Sequence, residues 1–382
     1  MKRVVVLGLM GQYPLGGMAW QVLHHVIGFR RLGCDCFYVE NSGAPPYSPR
    51  RVSVAEDARD NVRFLRDTFR RFDLADAWAY HDCISGSWFG MGRARATELL
   101  ASADVIVNLC GATRPDPGAP RRGCLVYLET DPVLEQVKLA AGDPDTQAML
   151  DAHDVHFTYA WNLGTPVCPL ATGGITWRAT HPPVLVDLWQ SPPHPRGAWR
   201  TVATWENRGK DVVLDGRTYR WSKRPSFERV LDLPCDTRER LELALVAPEA
   251  VRERLRAHGW SLRDPYPISR GAATYRRYLQ GAKGEFSVEK QSMVALHTGW
   301  FSDRSVCFLA AGRPCVVEDT GFGTRLPLDA GLLAWSSAEE AAGALAAVAR
   351  DYARHARAAR SLALGYFEAS VLLPAILEAA GA

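Results

Sequence analysis

The chain has 382 residues, 47% of them hydrophobic and 23% charged, with a formal net charge of +3. That length exceeds one core and calls for two domains. The near-balanced charge argues against a partner held through many phosphate contacts, so no nucleic acid is expected. No apolar run reaches the ~20 residues of a membrane-spanning helix. The start, MKRVVVLGLMGQYPLGG, reads as a strand and loop rather than a secretory leader. Nine cysteines without a CxxC pair fit a reducing, cytoplasmic setting.

Lys2 to Leu9 predicts a buried parallel strand. The loop after it carries Gly8, Gly11, Gly16 and Gly17, which let a ligand approach backbone closely. Gln12, Gly16 and Gly17 are its candidates for an acceptor-side contact. The loop does not spell GxGxxG, which argues against a nicotinamide cofactor. A helix over Met18 to Leu32, stopped by Gly33, and a strand over Asp35 to Glu40 complete the opening of a doubly wound α/β domain.

A Pro/Gly/Ser loop, Asn41 to Arg51, leads to a charged amphipathic helix over Ala55 to Phe72. Strands follow at Ala103–Leu109, 123–128, 155–159 and 184–188, alternating with helical stretches as a parallel sheet requires. Glu129 and Asp131 stand just past a strand end, where open α/β sheets bind ligands. Asp131 precedes Pro132, so a turn start is the competing reading. If a general base is used it belongs in this half, facing a cleft. Glu129 and Asp131 come first; His25 is next, with His24 and His81 as alternatives. Adjacent His24 and His25 on one helix cannot both face the cleft.

Residues 190–197 (QSPPHPRG) read as a linker. The expected division is residues 1–190, a linker over 191–197, and residues 198–382, with the last helix a candidate to pack back on the first domain. A second alternation follows: strands at 200–204, 241–246, 285–288, 314–317 and 332–335, with helices at 225–231, 248–258, 274–279, 337–350, 352–364 and 368–380. Ser302 and Asp303 are good caps for an apolar helix that Gly312 stops, and its first-turn N–H groups are oriented toward an anion. Lys290 and Arg304 flank it with positive charge, and a second polar loop runs over Glu318 to Gly321. These features together form a diphosphate cradle. A strand–helix–strand unit whose caps only cap is the plainer alternative. Trp205, Trp221 and Trp300 are placed to stack on a base or sugar.

The segments GEFSVEK, GWFSDRS, LAAGRP and EDTGF, with GQYPLGGMAWQ, ETDP and YRWSK earlier, resemble a bacterial group of GT-B fold glycosyltransferases. The resemblance touches both halves. It implies two Rossmann-like doubly wound domains facing each other across a cleft, with a nucleoside diphosphate sugar held mainly by the C-terminal domain. The acceptor, a small molecule or glycan, would lie against the N-terminal domain. It also implies that no cofactor beyond that co-substrate, and no metal, is needed. The donor contacts it implies are Lys290, Ser302, Asp303, Arg304, Ser305, Thr320 and Gly321, with Arg208, Lys210, Lys223 and Phe286. The chain departs from the commoner retaining branch, which has two Glu where this sequence has Gly299 and Cys307. A nucleotide-sugar epimerase on the same fold, and a catalytically silent nucleotide- or glycan-binding subunit, are the alternatives.

Overall fold

The computed structural model describes residues 1–207 and 209–382; the expected donor contact Arg208 lies outside the described residues. The first sheet has eight strands: β1 (Arg3–Leu7), β2 (Asp35–Glu40), β3 (Trp78–His81), β4 (Trp88–Gly90), β5 (Val105–Leu109), β6 (Cys124–Glu129), β7 (Val155–Thr158) and β8 (Trp177–Ala179). Their order is β8-β7-β6-β5-β1-β2-β3-β4. All pairings are parallel except β4, which runs antiparallel along the β3 edge.

The second sheet holds β9 (Trp199–Thr204), β12 (Leu241–Val246), β13 (Ser261–Arg263), β14 (Gly284–Ser287), β15 (Cys315–Glu318) and β16 (Leu332–Trp335), all parallel, in the order β13-β12-β9-β14-β15-β16. An antiparallel hairpin of β10 (Val212–Leu214) and β11 (Arg217–Tyr219) stands apart from it.

Parallel strands are buried on both faces, so their sequences are continuous apolar runs; Val4, Val5 and Val6 are fully buried. In each sheet the first strand is central and the order reverses beside it, between β1 and β5 and between β9 and β14. Crevices at the carboxyl ends of strands open at such reversals.

The helices used below are α1 (Gly16–Arg31), α2 (Arg59–Arg71), α3 (Leu134–Ala140), α4 (Arg224–Arg229), α5 (Ala272–Gln280), α6 (Asp303–Ala310), α7 (Tyr352–Leu362) and α8 (Ala369–Ala379). The domains meet through α1. Trp20 Nε1 donates to Ala272 O at 2.8 Å, and a Cβ on Gly16 would stand 2.5 Å from Tyr275 Cβ. The last helix, α8, lies on α1 as well, because a Cβ on Gly28 would meet Leu373 Cδ1 at 2.5 Å. Among the described residues no helix is long and apolar enough to cross a membrane.

Three local readings change. The expected strand over Val184–Leu188 is a 3-10 turn, Val186–Trp189, with one bridge from Val184 to Glu368. Pro182 and Pro183 lack donors for a ladder, and the Glu368 carboxylate takes the Val186 N–H at 3.1 Å. The helix expected from Ala55 begins at Arg59, because Ser53 and Val54 pair antiparallel with Tyr47 and Ser48. The polar loop after β9 carries the first strand of the hairpin.

Candidate functional site

β14 ends at Ser287 beside the second reversal, and Lys290 follows three residues later. Its Nζ lies 2.7 Å from Asp131 Oδ1 of the other domain. The same ammonium sits 4.1 Å from the centre of the Trp221 ring and 5.9 Å from that of Trp300. Lys210, exposed, approaches Trp221 at 5.8 Å. Trp300 Nε1 donates to Thr130 O at 2.8 Å, so the tryptophan also ties the two domains. A cation between two indole faces is attracted to both rings. The Lys290 side chain is 12% exposed and that of Asp131 46% exposed, so the pair borders solvent on the Asp131 side.

The other expected donor contacts divide. Arg304 turns inward: Nε donates to Glu285 Oε1 at 2.5 Å, one terminal nitrogen to Ser287 Oγ at 2.6 Å, and the other to Val202 O at 3.1 Å. Lys223 is buried too, bonded to Glu289 Oε2 at 2.7 Å and to Val288 O. Glu285 and Glu289 are buried carboxylates within reach, and a buried charge takes the nearest opposite one. Both cations are therefore spent inside their own domain, against expectation. Phe286 is packed between Trp260 and Trp335, with ring centres 5.9 and 5.5 Å away, and presents no face to a ligand.

Ser302 caps α6, accepting from Arg304 N at 3.2 Å. The helix start nevertheless carries its own acid, Asp303, whose carboxyl is pushed up to about 7 by burial and then by Asp131. Gln21 Nε2 faces that carboxyl at 3.4 Å. An acid there opposes the diphosphate expected at this terminus. Ser305 is fully buried. Thr320 Oγ1 donates to Trp300 O at 2.5 Å, and Gly321 N to Asp319 Oδ1 at 2.7 Å. The Thr320-Gly321 loop thus lies against Trp300 at the domain junction.

On the N-terminal side, Asp131 is the expected base that reaches the junction. Glu129 does not reach it. It is 1% exposed and accepts from Gln136 Nε2 at 2.8 Å and Thr158 Oγ1 at 2.5 Å. Burial, with Glu135 nearby, pushes its carboxyl up to about 8. His25 is fully buried with Nδ1 2.8 Å from Gln21 O, and burial draws it down to about 4. It belongs to the α1 core face. His24 accepts from Trp189 Nε1 at 3.0 Å, and His81 bonds Asn41 Oδ1 at 2.8 Å.

The glycine-rich loop is filled by protein. Glu40 accepts from Gly11 N and Gln12 N, each at 2.5 Å, and from the Tyr38 hydroxyl. Gly16 and Gly17 allow Tyr275 to approach, not a ligand: a Cβ on Gly17 would lie 3.6 Å from that ring. Glu40 was readable as a lone acid closing a buried apolar strand. A second residue carries no mark in the sequence: Asn162, just past β7, inserts between the Gly299 and Gly321 loops of the other domain. Nothing in the YAWNLG stretch sets it apart.

Two doubly wound sheets whose strand ends meet at a charged junction make the GT-B fold of glycosyltransferases. The chain is similar along its whole length to solved structures of that fold. One is Anabaena Alr3699/HepE in complex with UDP, at TM-score 0.57 and 11% identity over 99% of each chain. Another is an alpha-glucosyltransferase in complex with UDP and a 13-mer DNA, at TM-score 0.60 and 8% identity over 100% of this chain and 99% of that one. A third is AviGT4, a glycosyltransferase involved in avilamycin A biosynthesis, at TM-score 0.53 and 12% identity over 100% and 99%. No protein-family model and no curated protein sequence matches the chain. The expectation of no nucleic-acid partner needs correction. Alpha-glucosyltransferase structures of this fold hold DNA, so a near-neutral net charge does not rule such a partner out.

Proposed function

We propose that the protein is a glycosyltransferase that moves a sugar from a nucleoside diphosphate sugar to a hydroxyl of a small molecule or glycan. The observation that carries this reading is Lys290: a cation at the strand reversal of one domain, sandwiched by Trp221 and Trp300, whose partner is a half-exposed carboxylate of the other domain. A diphosphate is a stronger partner than one carboxylate, so Lys290 exchanges Asp131 for the departing phosphate and offsets its developing charge. Lys210 adds a second cation at the rim. We assign neutralisation to these two residues and expect turnover to persist with chelator present.

Asp131, released, accepts the proton of the acceptor hydroxyl. The acceptor oxygen bonds to the anomeric carbon as the bond from that carbon to the phosphate oxygen breaks, and the electron pair leaves with the nucleoside diphosphate. Gly321 is proposed to line the donor from the adjacent loop; Thr320, an expected donor contact, is fully buried with its hydroxyl bonded to Trp300 O and holds that loop in place instead. Domain limits at 1–190 and 198–382, and a cytoplasmic setting, belong to the same proposal; all nine cysteines are free, which supports the latter.

Titration calorimetry with UDP, TDP and GDP tests the reading. Saturable binding of at least one, lost in Lys290→Ala, is expected; silence with all three overturns it. Product analysis with sugar, glycan and duplex DNA acceptors then identifies the acceptor class. Binding without transfer or donor hydrolysis would reassign the chain as a binding subunit.

A further inference from the structure

Asn162 is 2% exposed, and every polar group of its side chain is engaged by the other domain. Its Nδ2 donates to His297 O at 2.9 Å and to Gly321 O at 3.0 Å. Its Oδ1 accepts from Thr324 Oγ1 at 2.8 Å, and its backbone N–H donates to Thr298 O at 3.0 Å. The receiving loops are shaped to this one side chain. Gly299 and Gly321 have φ of +75° and +88°. A Cβ on Gly299 would stand 3.0 Å from Asn162 Cγ, and one on Gly321 would stand 2.7 Å from Asn162 Nδ2. Both glycines are thus required twice, for the left-handed backbone and for room.

These loops are joined to each other and to the Lys290 junction. Gly299 N donates to Thr320 O at 2.7 Å. Thr320 Oγ1 donates to Trp300 O, and Trp300 Nε1 donates to Thr130 O next to Asp131. A rigid chain of contacts therefore runs from Asn162 to the residue pair assigned to the reaction.

We infer that Asn162 is a positioning residue that fixes how the two domains face each other, and with it the placement of Asp131 against the donor loops. The inference rests on the functional reading given above. An asparagine suits the task because it donates twice to carbonyls while accepting once, all uncharged. Aspartate has the same size and cannot donate to the two carbonyls, so it separates hydrogen bonding from packing.

The test uses full-length Asn162→Ala and Asn162→Asp, with three measurements on each: small-angle scattering without ligand, calorimetry with UDP, and steady-state transfer. Both variants are expected to show a larger radius of gyration than the parent. Turnover should fall by about 100-fold, the loss that a misplacement near 1 Å brings, while the donor KM changes little. Parent-like radius and turnover in Asn162→Asp would overturn the inference, as would a rise in KM with turnover intact. Should Asn162→Ala not fold, Asn162→Asp decides alone. If the parent binds no nucleoside diphosphate, the functional reading falls. The scattering comparison still decides the joint: expansion supports it and an unchanged radius overturns it.

Discussion

Lys290 and Arg304 belong to the same strand–loop–helix unit and meet different fates. Arg304 is held by Glu285, Ser287 and Val202 of its own domain. Lys290 is held by one carboxylate of the opposite domain, half open to solvent. A cation fixed by buried carboxylates is structural, since withdrawing it strands charge in a low dielectric. A cation with a single exposed partner can change partners. Position along the chain does not distinguish the two; the location of the nearest carboxylate does.

The largest expected effect tests the structural half of this contrast. Arg304→Ala leaves Glu285 and Glu289 short of a partner and should cost about 3–5 kcal/mol in denaturant unfolding; a loss below 1 kcal/mol would break the contrast. Lys290→Ala should do the reverse. Its ion pair contributes only about 0–1 kcal/mol to stability, so the melting temperature should hold, while turnover should fall by about 10²–10³.

Glu129 sharpens the picture on the other side of the junction. Burial raises its folded value to about 8 from 4.5, so the folded chain keeps a proton that the unfolded chain releases. Its contribution is complete below 4.5 and is lost as pH rises through about 8, by up to about 1.4 kcal/mol per pH unit. Glu129→Gln should flatten that slope in melting curves recorded across the window. Equal slopes in parent and variant would show that Glu129 is ionised in the fold. The smallest effect is expected from Trp221→Leu. It should weaken nucleotide binding by about 1 kcal/mol through loss of the ring under Lys290, as calorimetry would show.

The fold was largely legible because buried parallel strands announce themselves. Leu241–Val246 and Leu332–Trp335 were bounded correctly from their apolar runs, and the Ser302 cap from its residue type. Short elements whose burial depends on distant partners, such as β3, β4 and α3, were not. The site was legible only to the level of the loop. Lys290 could be placed at a strand end, but its partner Asp131 lies in the other domain, where no local pattern reaches. The inward turn of Arg304 has a local signal in the sequence: Glu285 and Glu289 are acids in an otherwise apolar strand and the loop after it, and such acids need a cation close by. Asn162 had none, since its role depends on loops that only the assembled domains bring to it.

The return of α8 to the first domain has a mechanical outcome. The polypeptide crosses between lobes once after Trp189 and again between α7 and α8, where Ala369 N bonds Val184 O at 2.8 Å. A door hung on two pins swings about the line joining them and resists twisting. Admission of a bulky substrate should therefore come from a one-axis gape at the far rim, with the pinned side nearly still.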